Sequence, residues 1–452
     1  MVAQEGRLTG EEIEELKQLG EAHFWPHSRP IADMSEESGI KLATKAEGVW
    51  VEDGQGGRWL DTLSGMWLKN IGHGRKEIAE AVFEQMQDVS YSPGGTVSPA
   101  TVNLAAKVAS LAPDKESRVY FTSGGSEAVE TAIKMAKAYH KNNGEPARWK
   151  VVSRRGSYHG ATHACMALGG GGVASGQDYG PLQPGNIHIS NPNSYRGPHS
   201  DLECAEELER TILHEGPGTV AAFIGEPISA ANGIMLPDPG YWPRIREICD
   251  KYGVIMICDE VITGFGRTGK MFATEHWGVK PDIFTVAKAL TSGYLPIGAA
   301  VASKSVGDMF LGEENTFRHL ITFGGNPASC AAGLANLAIM ENEGVVENSA
   351  EMGNYLYEQL QTLYEHPIVG DVRGGMGVLA AVELVKDRDT KERFPEEAQL
   401  AKKLTPIMEK NGLLGRFGDI ISIAPPLTIT KDEVDFVVGA VNSSLEEVRN
   451  QL

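Results

Sequence analysis

Residues 254–290 read VIMICDEVITGFGRTGKMFATEHWGVKPDIFTVAKAL. The apolar run 254–258 has the composition of a strand buried on both faces, as in a parallel sheet. Asp259 and Glu260 follow it, at the carboxyl end where open α/β sheets place their ligands. After a glycine-spaced loop a second apolar run, 283–287, ends on Lys288. Two neighbouring strands would then deliver a carboxylate and an amine to one crevice.

A lysine set between Ala287 and Ala289 loses water, which lowers its pKa and suits it to a Schiff base. A carboxylate beside a pyridine nitrogen keeps such a ring protonated and electron-poor. The pair points to pyridoxal 5′-phosphate (PLP). Taken singly, neither residue does so: a lysine at a strand end is commonly a snorkelling surface residue, and an Asp-Glu pair commonly caps a loop. The GFGRTG run at 264–269 matches the dinucleotide pattern G-x-G-x-x-G, which would make a nicotinamide-dependent oxidoreductase. Five residues, DEVIT, separate it from its strand, and the acidic residue expected some twenty positions later behind a strand is missing, so it is read as a decoy.

Outward from this stretch, helix and strand alternate. Strands are expected at 118–122, 150–153, 220–225, 254–258, 283–287 and 298–303, with helices at 78–87, 99–111, 127–140 and 241–252. That rhythm is the signature of a mostly parallel sheet wound with helices. Before it lie a short helix capped by Thr9 and Glu12, an aromatic loop 23–30, and a hairpin (GVWVED, RWLDTLSG). After it, helix 331–342 leads to a smaller α+β part with strands near 378–383 and 420–424 and a last helix begun by the Thr430–Glu433 capping box. The expected division is 1–70 (N-terminal segment, lid and part of the small domain), 71–329 (large domain) and 330–452 (C-terminal small domain). Residues 169–172, four glycines, read as a short flexible loop.

Composition sets the outer limits. The chain has 452 residues, a formal net charge of −19 and 41% hydrophobic residues. Such an acidic chain argues against a nucleic-acid partner. The 5 cysteines are scattered with no C-x-x-C pair, which fits buried thiols in a reducing compartment, and no metal site is expected. No apolar run is long enough to span a bilayer and the N-terminus has no signal-peptide pattern, so a cytoplasmic protein without a membrane partner is expected.

Three further motifs sit at expected strand ends. Ser123-Gly124-Gly125-Ser126 joins a strand to a helix, where backbone N–H groups and the helix dipole can hold a phosphate. Tyr158-His159-Gly160 offers an aromatic face for a flat heterocycle, though a tyrosine at an edge serves as well for packing. Glu226-Pro227 closes AAFIGEP. Glu226, Asp259 and Lys288 thus end three successive strands, and that convergence outweighs any one of them.

These motifs resemble the class III aminotransferases, the fold-type I PLP enzymes that include amine and ω-amino acid:pyruvate transaminases. The matching stretches are LSGMW, FTSGGSEAVETAIKMAKAY, YHG, EPISAANGIMLP, CDEVITGFGRTGKMF, PDIFTVAKAL, GAAVAS and ITFGGNPASCAAGLA, with weaker likeness in DVRGGMGVLAAVEL and GLLGRFGDIISIAPP. The resemblance implies an α/β fold with a mostly parallel seven-stranded sheet. It implies Lys288 as the Schiff-base lysine and proton shuttle, Asp259 at the pyridine nitrogen, and Val261 and Tyr158 on opposite ring faces. Gly125 and Ser126 would hold the phosphate, and Glu226 would lie on the hydroxyl side. Thr322 would reach the phosphate of a partner subunit, which implies a homodimer or a tetramer of two such dimers. Trp67, Tyr158 and Trp25 would line or cover the substrate pocket, and Arg416 would be a mobile arginine for a substrate carboxylate. The implied reaction is ping-pong transfer from a primary amine or ω-amino acid to a 2-oxo acid such as pyruvate; a same-fold aminomutase, racemase or decarboxylase is the alternative. The family commonly reads H-G-[FY]-T-Y-S-[GA]-H-P where this chain has His319-Leu-Ile-Thr-Phe-Gly-Gly-Asn-Pro327, and Asn-Ser where it has Ser123-Gly124.

Overall fold

The structure is a computed structural model that describes residues 8–34, 39–170 and 178–452. Its centre is a seven-stranded sheet. In chain order the strands are β1 (Arg118–Thr122), β2 (Lys150–Arg154), β3 (Asn186–Ile189), β4 (Val220–Gly225), β5 (Ile255–Asp259), β6 (Ile283–Val286) and β7 (Gly298–Ala302). Their spatial order is β1-β7-β6-β5-β4-β2-β3. Only β7 runs against its neighbours. Because it is antiparallel to both β1 and β6, those two point the same way as the rest. The carboxyl ends of six strands therefore share one edge, and residues 123–126 and 158–160, Glu226, Asp259 and Lys288 all lie at or just beyond one of them.

The central strands are buried along their whole length. Alternation sorts their side chains between two helical layers. Ile224, Ile255 and Ile257 face the Gly125–Asn142 helix, which packs Val129, Ala132, Ile133 and Ala136 against them. Phe223, Met256 and Cys258 face the other way, toward Tyr241, Trp242, Ile245 and Ile248 of the Tyr241–Tyr252 helix. That helix stops at Gly253, whose φ of 63° supplies the left-handed cap that a side chain would resist.

Two smaller sheets flank this unit. Strands Ala43–Glu47, Trp50–Asp53 and Arg58–Asp61 form an antiparallel run, extended by Leu413–Leu414 pairing parallel to the third. Val369–Arg373, Ala380–Leu384 and Ile420–Ile423 form the other. The expected capping boxes at Thr9 and Thr430 are present. The edge strand β3, strand Ala43–Glu47 and helix Asp201–Glu215 were not among the expected elements. Both strands are short and half-exposed, so neither offers a continuous apolar run to read.

Strand ends differ slightly from expectation. The second apolar run leaves the sheet at Val286, and Lys288 opens a one-turn helix, Lys288–Leu290, with φ of 42°. A non-glycine residue in that region is strained, and such strain collects at working sites. Gly171 and Gly172 of the expected flexible loop lie outside the described residues, while Cys165 ends up under the site. All five cysteines are free and buried. Burial pushes the thiols of Cys204 and Cys330 up to about 11, those of Cys165 and Cys249 to about 12, and that of Cys258 well above its ordinary value.

Candidate active site

A cleft opens at the carboxyl edge of the sheet, and it brings together Gly125, Ser126, Tyr158, Glu226, Asp259, Val261 and Lys288. Eight positions separate Asp259 from its decoy-like neighbour Arg267, and the two sides of that stretch behave differently. Asp259 projects into the cleft on the Ile255–Ile257 face of β5. Glu260 projects away: it accepts hydrogen bonds from Thr263 Oγ1, Ala273 N (3.1 Å) and Thr274 N (2.9 Å) and so caps the Ala273–Trp277 turn. One member of the Asp-Glu pair is thus a site residue and the other a cap. The GFGRTG run opens no helix, so it makes no dinucleotide cradle.

The Asp259 carboxylate is held on both oxygens. Oδ2 lies 2.7 Å from His159 Nδ1, and Oδ1 accepts from Thr285 Oγ1 at 3.0 Å and from Val261 N at 3.2 Å. His159 and Thr285 are buried. Their role was not assigned from sequence, although His159 stood inside the YHG motif; its neighbour Tyr158 drew the reading, and nothing local shows that His159 faces β5.

Glu226 is also buried, with Arg154 Nη2 3.4 Å from its Oε2 and Ser229 Oγ donating to the same oxygen at 3.1 Å. Burial raises its pKa, with His159 and Arg154 opposing. The Lys288 amine is drawn down to about 8, chiefly by burial; Asp259 and Glu226 oppose this and Arg267 adds to it. At the other end of the cleft the Gly125–Asn142 helix presents its N-terminus. Gly160 (φ 129°) packs onto it: a Cβ there would stand 2.4 Å from Ser126 Oγ. Only glycine allows that approach, and it lets Ala161 N donate to Ser126 Oγ at 3.1 Å.

This arrangement fits PLP. A helix N-terminus with two small residues suits a phosphate dianion, a fixed carboxylate sits across the cleft, and a half-buried amine lies between them. The sequence profile of the family Aminotransferase class-III matches residues 32–445. The chain belongs to the class III aminotransferases. As a member it is a fold-type I, PLP-dependent enzyme. An uncharacterised aminotransferase of Bacillus subtilis is 41% identical over 446 residues, 96% of this chain and 97% of that one. A putrescine–pyruvate aminotransferase of Pseudomonas aeruginosa is 37% identical over 454 residues, 98% of each. Among solved structures, a thermostable (S)-enantioselective omega-transaminase from Thermomicrobium roseum superposes with a TM-score of 0.91 at 42% identity, covering 96% of this chain and 98% of that one.

Four residues named from sequence lie outside the cleft of this class III aminotransferase chain. Trp67 is 4% exposed and packs in an apolar cluster with Ile228, against which Ile262 also rests; Ile228 and Ile262 line the cleft, so Trp67 stands behind its wall. Trp25 is 80% exposed. Thr322 is exposed on a loop whose neighbours Leu320 and Phe323 are 81% and 60% exposed. Arg416 is exposed, and its side chain has no hydrogen-bond or ion-pair partner among the described residues. No described helix is long and apolar enough to cross a membrane.

Proposed function

We propose that this aminotransferase moves the amino group of a primary amine or ω-amino acid to a 2-oxo acid, pyruvate first, by a ping-pong cycle. The observation that carries this reading is the lining of the cleft: Ile228, Val261 and Ile262 form an apolar wall, and Lys288 is the only cationic side chain of Lys or Arg type among the described lining residues. A donor without an α-carboxylate needs no fixed guanidinium there. The acceptor does need a cation, and Arg416, without a partner among the described residues, supports a side chain that swings in for a carboxylate. The Pseudomonas aeruginosa relative, whose name gives pyruvate as acceptor, supports the choice of 2-oxo acid.

Bound PLP supplies an electron sink for the electrons left when the substrate Cα loses its proton. Lys288 Nζ takes that proton and returns it, a task that a neutral amine near physiological pH performs well. Asp259, clamped by His159 and Thr285, holds a proton at the ring nitrogen. Gly125 and Ser126 would hold the phosphate end of PLP, and Tyr158 and Val261 would pack against its ring. The same reading divides the chain at about 70 and 330, which the separate small sheets support. It places Thr322 in a partner's phosphate site within a homodimer, supported by the exposed Leu320 and Phe323 beside it.

The test is the visible absorbance of the purified protein with 1-phenylethylamine and then pyruvate. The band is expected to bleach with the amine and return with pyruvate. Bleaching without return points to another acceptor, and no response to any amine overturns the donor class. Arg416→Ala is expected to lower kcat/KM for 2-oxo acids by ~30-fold, about 2 kcal/mol for a charge-assisted pair, and to leave arylamine donors within a few-fold. Equal losses in steady-state kinetics with both substrates would remove Arg416 from this role.

A further inference from the structure

Arg267, inside the GFGRTG run, is fully buried, yet no carboxylate among the described residues forms an ion pair with it. Even drawn down to about 9 by burial, with Asp61 opposing, the guanidinium keeps its proton at neutral pH. A buried cation without an anion is costly unless its donors are well placed. Here the two terminal nitrogens are satisfied and Nε is buried without a partner: Nη1 donates to the carbonyls of Pro425 (2.6 Å) and Val378 (3.1 Å), and Nη2 to Asn70 Oδ1 (2.8 Å) and Ser64 Oγ (2.9 Å). One side chain of the large sheet's loop thus grips the N-terminal segment and two C-terminal segments at once.

Ser64 is the informative partner. Ser64, Gly65 and Trp67 have φ of 50°, 66° and 63°, so two non-glycine residues of this short turn sit in the left-handed region. Such a turn persists only where its surroundings over-determine it. Ser64 Oγ passes the contact on to Ala424 O at 2.7 Å, and Asp61 holds the other side by accepting from Gly65 N and Leu63 N. Trp67, at the end of the turn, shares one apolar cluster with Ile228, and Ile262 packs against that cluster; both isoleucines line the cleft.

We propose that Arg267 is a positioning residue of the transamination site, a buried cation that locks the left-handed 64–67 turn and through Trp67 sets the apolar wall of the substrate cleft. This rests on the proposed amine-donor reading of that cleft. The test compares Arg267→Lys, Arg267→Met and Ser64→Ala with Arg148→Met. Arg148 also donates to backbone carbonyls, those of Val220, Tyr252 and Gly253, but at the opposite edge of the sheet. Hydrogen exchange of the peptide spanning 61–70 is read in full-length apoprotein and holoenzyme, beside thermal stability and steady-state kinetics with an arylamine. Arg267→Met is expected to lower kcat/KM about 100-fold, mainly through KM, the cost of misplacing a substrate wall by roughly 1 Å. Arg267→Lys should recover part of this, and Ser64→Ala should raise exchange in 61–70 without the stability loss of Arg148→Met. If Arg267→Met does not fold, the Lys and Ala variants decide alone. Wild-type kcat/KM and exchange in both, at any change in melting temperature, would leave Arg267 a purely structural residue and overturn the proposal. Failure of the donor reading is distinguishable, since the wild type would then transaminate no amine.

Discussion

Lys288→Ala is expected to lower turnover by about 10⁴-fold or more, because the proposed reading gives one amine both tasks, securing the cofactor and moving the substrate proton. The fold should survive: Lys288 makes no hydrogen bond to another described side chain, and Ala287 and Ala289 already occupy the adjoining space. The variant leaves the proposed phosphate cradle of Gly125 and Ser126 untouched, so it should still bind PLP non-covalently. Single-turnover absorbance measurements check this, and normal turnover would sink the assignment. The same amine gives a pH dependence. Burial lowers its pKa to about 8. The neutral fraction of apoprotein therefore rises tenfold per pH unit below about 8 and levels off above it. The rate at which apoprotein takes up PLP covalently should follow that curve; a midpoint near the ordinary lysine value would show that the amine is not desolvated.

Asp259→Asn is expected to cost about 10³-fold in kcat, the scale seen when one fixed charge or donor is removed from a preorganised site. The amide keeps the shape of the carboxylate, and its oxygen can still accept from Thr285 Oγ1 or His159. What is lost is the negative charge facing the ring nitrogen. Thermal stability should change little, and kcat measured at saturating PLP separates weak loading from slow chemistry. A variant within three-fold of wild type would show that the ring nitrogen is served by another group.

Much of this architecture was legible in the sequence because the central strands are buried on both faces. Runs such as AAFIG and IMIC admit few other readings. Lys288 and Asp259 were legible for a related reason: a polar residue directly after such a run has one place to go, the carboxyl edge. Legibility failed where position depends on contacts far apart in the chain. His159 meets Asp259 across 100 positions, and Arg267 meets Pro425 across 158, neither of which a local pattern encodes. Trp67, expected at the substrate, is buried in an apolar cluster with Ile228, and motif matching reports which residues are near a site and not which layer they occupy. Thr322, Trp25 and Arg416 lie exposed on the described chain, and no local pattern in the sequence shows what their side chains would meet.

Five thiols locked in the interior leave the surface without a free thiol. Reagents directed at thiols should find none to attack while the protein is folded. A single cysteine introduced at an exposed position, such as Leu202 on the outside of its helix, would become a unique chemical handle. Dye coupling, spin labelling or attachment to a bead could then be directed to one chosen point without first stripping the native cysteines.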